Sequence, residues 1–316
     1  MNTQGPQWDP ALWEGIREAI AEEAARGAVT RQFIPQVEIG ATDTVVLVDY
    51  FDEDNSMVAQ DLTTPVVEIS TTFALSDEQM AREASHHEAR AAAMGAARAL
   101  AQAEDMVVLQ GERGVPTGPS RAPSLNNTFT APVTIPPDPN ISALWPSIVT
   151  VRSGHGFEGL AEYARRAASV YSTNFEVRRV TNLPPGSRTR WASNLVEPVN
   201  NAIATLFSAE QYGPYALLTH PTKYADAQTP LENSRIKAVD LLPSDIQSFG
   251  GCRSLTENEG LVIALGGNNI DVATPFSRYE LGFLRVDDHG RNQFRLRHRL
   301  ALRVKRHTPA VAIKYL

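Results

Sequence analysis

The sequence predicts an α+β fold organised around one long helix, and three observations predict it. An alanine-dense run from Ser76 to about Asp105 reads as a single helix of some thirty residues, ~45 Å long at 1.5 Å per residue. Residues 37–73 before it are rich in Val, Ile, Thr and Phe and read as extended strands with little helix nearby to cover them. Residues 292–304 alternate apolar and mostly basic side chains, the pattern of a strand with one buried face.

In chain order, Asp9 caps a first helix with Pro10 at its first position, and Gly27 stops it after about Arg26. Leu12, Trp13, Ile16, Ala19, Ile20 and Ala24 share one face, so this arm needs a surface to pack on, in its own chain or a neighbour. The segments "VEIG", "DTVVLVDYFD" and "TPVVEISTTFAL" read as strands, with "EDNSMVAQDLTT" a polar turn between the last two. A two-stranded excursion is marginal alone in water, so it finds its packing surface elsewhere, on another subunit for example. Ser76 caps the long helix, with Asp77 and Glu78 in its favourable first turn. "MVVLQG" follows as a short strand, and residues 111–140 are a Pro-, Gly- and Ser-rich loop.

Residues 147–152 read as a strand, 157–172 as a helix, and about 190–208 as another. "YGPYALLTHPTKYADA" reads as turn, strand, turn, while "IKAVDLLP" and "GLVIALGG" read as strands. The chain ends in a hairpin turned at "DHGRN". Phe294, Leu296, His298, Leu300, Leu302 and Val304 face one side of it. Arg295, Arg297, Arg299, Ala301 and Arg303 make a basic outer face.

Composition narrows the function. The chain has 316 residues, 42% hydrophobic and 21% charged, enough for a sizeable core in a soluble protein. A net charge of −7 argues against a general nucleic-acid binder. Cys252 is the only cysteine, so neither an internal disulfide nor a cysteine zinc cluster forms. The N-terminal residues lack a secretory pattern and no apolar run reaches membrane-span length, so a cytoplasmic protein is expected.

Each chemistry-like motif fails on its context. Gly154, Gly156 and Gly159 spell the dinucleotide-binding G-x-G-x-x-G, with Glu176 near the place of a ribose-binding acid. Yet about 150 residues precede the motif and no clear second β-α-β unit follows, so a glycine turn is expected. "GERGVPTG" lacks the Lys-Ser/Thr of a phosphate-binding loop. His86 and His87 point about 100° apart on a helix and do not readily share a metal ion. Cys252 in "FGGCRS" has His220 and Asp226 upstream, but nothing fixes them as a triad. The arginines of the last hairpin suit carboxylates at a subunit interface. No catalytic, cofactor or metal residue is predicted.

Three stretches carry a family likeness. "ALAQAEDMVVLQGERGVPTG", "YGPYALLTHPTKY" and the closing "RLALRVKRHTPAVAIKYL" resemble segments of the encapsulins, nanocompartment shell proteins with the tailed-phage major-capsid fold. In the last of these Leu302, Val304, Pro309, Ala310 and Leu316 take the places of the family pattern. The resemblance runs from about residue 75 to the C-terminus, with gaps; the first 70 residues match in layout more than in letters. It implies a Hong Kong-type fold with an N-terminal arm (1–36), an E-loop (37–72), a P-domain built on the spine helix (73–110 and 270–316) and an A-domain (111–269). Residues from about 119 to 190 would be an insertion in the A-domain.

The resemblance also implies a function: self-assembly into a closed icosahedral shell around cargo protein, with no cofactor. Cargo would dock through a short terminal peptide near the first helix, where Trp13, Ile16 and Ile20 are the candidate groove residues. In "TPLENSRIK", Glu232, Asn233, Ser234 and Arg235 are the candidate pore loop. Residues 37–72 contain no lysine, so the isopeptide cross-link that some phage capsids make from this loop is not expected. Two alternatives stand beside the shell: a phage or prophage major capsid protein, whose partner is a genome, and a nucleotide-dependent oxidoreductase using residues 154–159.

Overall fold

Local chemistry sets the first helices. In a computed structural model, which describes residues 8–52, 57–116, 138–152, 156–171, 176–177, 191–231, 234–275, 279–306 and 308–316, helix α1 spans Pro10–Gly27. The Asp9 carboxylate accepts from the Ala11 amide at its start. Ser76 and Gln79 form a capping box that opens α2 (Asp77–Ala81).

The spine is not one uninterrupted helix. α3 (Glu83–His86) ends at His87, which adopts φ 55°, ψ 36°, and α4 (Glu88–Gln110) begins after it. The buried Glu83 carboxylate reseeds the helix by accepting from the amides of Ala89 (2.6 Å) and Arg90 (3.3 Å). "MVVLQ", expected as a strand, is the last turn of α4. Residues 106–110 are buried on every side, so they carry no alternation to separate helix from strand.

Two sheets pack around this spine. The first runs β1 (Gln36–Glu38), β10 (Ile270–Thr274), β12 (Asn292–Val304), β4 (Val67–Leu75), β5 (Val149–Arg152), with β11 (Glu280–Val286) also paired to β12. The second runs β6 (Glu176–Val177), β13 (Ala310–Tyr315), β9 (Glu259–Ala264), β7 (Tyr215–Thr219), β8 (Ile246–Gly251). Strand β5 belongs to the first sheet and the C-terminal β13 to the second. The larger core cluster among the described residues joins α1, α4 and both sheets, and includes Leu100, Met106, Ile69, Phe294, Leu300 and Leu261. A second core lies where α7 (Val196–Ser208) covers β9 and β13.

Three smaller readings change. Residues 57–64 of the expected polar turn belong to strand β3 (Met57–Pro65). "IKAVDLLP" is a single turn of tight helix at Ala238–Leu241 rather than a strand, and residues after His220 form a short helix at Pro221–Ala227 rather than a turn. Helix α6 (Leu160–Tyr171) and strand β12 lie where the periodicity places them.

Candidate assembly site

The extended loop is a hairpin of β2 (Val45–Asp52) and β3, not of β2 and β4. β4 instead pairs along β12, from Val67–Leu300 to Leu75–Asn292. The hairpin's root is tied down: Val46 and Val66 pack on Ala273 and Ala301 on the outer face of the first sheet. Arg299 donates to the backbone carbonyls of Ala41 and Asp43, and Arg303 to that of Leu47 at 3.5 Å. Part of the basic outer face is therefore spent inside the chain. Arg303 and Lys305 also pair with the buried Asp271 carboxylate at 2.6 Å each, and Arg297 with Glu280 at 2.6 Å.

The hairpin also carries apolar side chains that nothing among the described residues covers. Val45, Leu47, Val58 and Leu62 are 55%, 61%, 51% and 49% exposed, and among the described residues neither outer edge pairs with another strand. Ladder groups and apolar side chains left open in this way make a template for another chain.

The first helix is fastened by a buried polar latch at the end of the Ala-Glu-Asp triplet. Asp105 accepts from the Val29 amide (2.9 Å), the Thr30 amide (2.9 Å) and the Thr30 hydroxyl (2.6 Å). Glu104 accepts from Arg31 (2.6 Å) and from the Tyr279 hydroxyl (2.8 Å), and the Arg31 guanidinium lies 4.7 Å over the Tyr279 ring. Arg31 has only donors, so His298 Nε2, 2.9 Å from its Nη2, accepts and the imidazole proton sits on Nδ1. That Nδ1 is buried without a partner among the described residues.

Charge in the latch follows from burial. Burial works against the Glu104 carboxylate, but His298, Arg31 and the hydrogen bonds from Arg31 and Tyr279 outweigh it and hold the group below its usual range. Burial pushes Asp105 up to about 7, against the opposing bonds from Thr30 and Val29. Burial pushes His298 down to about 4, which agrees with its neutral, accepting Nε2. Of these groups the sequence flagged His298 on the inward face and the Glu104-Asp105 pair as letters of a motif. Arg31 and Tyr279 carried no signal, because their roles come from contacts between residues far apart in the chain.

The predicted docking residues fall on two kinds of ground. Ile16 and Ile20 are 2% and 1% exposed, in the main core with α4, and present no surface. Trp13 is half-buried in an aromatic cluster, 4.8 Å from Trp8 and 6.0 Å from Phe294 between centroids. Of the candidate pore loop, Ser234 and Arg235 are exposed in a tight turn closed by the Pro230–Lys237 bridge, and Glu232 and Asn233 lie outside the described residues.

The glycine motif has a packing explanation. Gly154 lies outside the described residues. A Cβ on Gly159 would stand 2.3 Å from the Gly111 amide nitrogen, and one on Gly111, at φ +59°, would meet the Gly159 nitrogen at 2.3 Å. The Gly156 amide donates to the buried Glu112 carboxylate at 2.8 Å, a negative group where a pyrophosphate would have to bind. Cys252 is buried with Sγ 3.8 Å from the Asp105 carboxylate; burial and that neighbour push its thiol well up, the opposite of an activated nucleophile.

No protein-family model matches the sequence, and no curated protein matches it. Solved structures do. A virus-like particle from Pyrococcus furiosus aligns with TM-score 0.61 at 15% identity, over 95% of this chain and 98% of that one. A satellite phage P4 procapsid aligns with TM-score 0.51 at 11% identity, over 99% and 94%. The SrpI encapsulin of Synechococcus elongatus aligns with TM-score 0.51 at 8% identity, over 99% and 91%. The tied root, the open hairpin and the latched arm thus sit on an α+β chain with the fold shared by encapsulin and tailed-phage capsid shell proteins.

Proposed function

We propose that this chain is a structural shell protein that self-assembles into a closed icosahedral compartment around cargo protein. The observation that carries the reading is the β2–β3 hairpin: an unpaired, apolar-studded strand pair on a chain aligned almost end to end with shell proteins. A hairpin whose exposed apolar face is covered only by a neighbour stabilises the fold through assembly, and repeated head-to-tail contacts close into rings and then a shell. The role is mechanical, with no cofactor. Net charge −7 suits protein contents better than a packaged genome, and the compartment would stand in the cytoplasm.

Cargo docking, in this reading, uses the half-buried Trp8 and Trp13, which pack on the buried Phe294 ring, rather than the core-bound Ile16 and Ile20. The Ser234–Arg235 turn remains the proposed pore lining. A phage capsid is the second reading, favoured by the alignment with the P4 procapsid over 99% of the chain. Negative-stain microscopy of the purified protein tests the proposal. Uniform hollow spheres with a co-purifying protein are expected; spheres holding nuclease-protected DNA move the chain to the second reading, and a monomer overturns both.

A further inference from the structure

We propose that the cleft between the end of α1, the middle of α4 and the loop after β8 binds a phosphate group, free or as a monoester of a small molecule. The cleft measures about 320 Å³ and is lined by Arg26 and Gly27 from α1, Arg98 and Gln102 from α4, and Arg253 and Ser254 from the loop. Three arginines therefore line one hollow from three separate segments of a chain whose net charge is −7. Guanidinium forks match phosphate oxygens in pairs, and a tetrahedral oxyanion offers acceptors in three directions where a planar carboxylate offers one fork.

The cations are available. Arg253 is exposed and makes no ion pair with any described residue. Arg26 holds Glu22 only through a 3.4 Å surface pair within its own helix, a contact of little worth in water. Arg98 is two-thirds exposed and meets Glu23 through one nitrogen at 2.7 Å, leaving its other donors open. The two carboxylates on the cleft wall offer limited repulsion. Glu23 is paired in that way, and Asp105 is turned to the Val29 and Thr30 donors and carries a proton for part of the time near neutrality. A bound phosphate would join the arm, the spine and the second sheet. The proposal does not rest on the shell reading.

Isothermal titration of the purified protein tests it, with inorganic phosphate in one arm and glucose 6-phosphate in the other at matched ionic strength. Saturable binding is expected in at least one arm. Tighter binding of the monoester assigns the site to a phosphorylated small molecule, and tighter binding of phosphate assigns it to the free ion. Arg253→Ala should weaken binding about tenfold or more and Arg253→Lys by less, because lysine lacks the fork. Arg285→Ala, on β11 and outside the cleft lining, should leave it unchanged. No saturable heat up to ~10 mM, or equal affinity in wild type and Arg253→Ala, overturns the proposal.

Discussion

Single residues decide whether the arm stays fastened to the spine, and the latch makes a pH prediction with opposing signs. Asp105 titrates near 7 in the fold against an ordinary value of 3.8, so from pH 4 to 7 the folded state binds more protons than the unfolded one. Its contribution to stability falls as pH rises through that window. His298 titrates near 4 against 6.5, so the folded state binds fewer protons there and its contribution rises with pH. In the wild type the two trends offset. Asp105→Asn leaves His298 alone, and the melting temperature should climb between pH 4 and 6.5; His298→Gln leaves Asp105 alone, and it should fall between pH 4 and 7. Parallel profiles for both variants would sink the assignment. Removing Glu104 strands Arg31 and the Tyr279 hydroxyl in the core, so Glu104→Ala should cost ~3–5 kcal/mol in denaturant unfolding. Gly159→Ala drives a methyl into the Gly111 backbone and should exceed ~4 kcal/mol, the range reserved for steric failures; a cost within 1 kcal/mol would return the motif to a ligand role.

At the scale of elements, the hairpin allows the proposed assembly to be tested apart from the fold of the single chain. Leu47 points to water within the chain, whereas its neighbour Val46 sits in the root with Val66, Ala273 and Ala301. Leu47→Asp should therefore yield a folded chain that no longer assembles, read as native circular dichroism with a monomer mass by light scattering. Val46→Asp buries a charge and should lose the fold itself. Assembled particles from Leu47→Asp would remove the hairpin from the contact. The same exposure explains what the sequence hid. α1, α6 and β12 were legible because each buries one face, and burial imprints a period. β3 reads as a polar turn because, in one chain, Val58 and Leu62 point to solvent; the partner that would give the strand an inside is absent from the sequence pattern. Residues 106–110 fail for the opposite reason, since a segment buried all round has no polar face to set its period. The latch was half legible: Glu104, Asp105 and His298 stand out as polar groups in apolar runs, but nothing local pairs them with Arg31 or Tyr279.

For the whole molecule the question is where its stability resides. Two cores among the described residues, one around the spine and one under α7, are joined where the chain passes from β9 in the second sheet to β10 in the first and from β12 back to β13, which lies between β6 and β9. That wiring gives the single chain a fold of its own, with the hairpin as its least supported part. Anything that binds only the folded state raises apparent stability by mass action, and in a closed homo-oligomer the ligand is the chain itself. The melting temperature of the wild type should therefore rise with protein concentration, in proportion to the logarithm of that concentration. Leu47→Asp, folded but without its neighbours, should melt lower and at a temperature independent of concentration. Scans at two concentrations a hundredfold apart distinguish these cases. A concentration-dependent wild type beside a flat variant places the missing stability in the contacts made by the hairpin. Two flat lines at the same temperature would mean that the isolated chain already holds all of its stability, and that an open strand pair with Val45, Leu47, Val58 and Leu62 exposed is tolerated in solution for some other use.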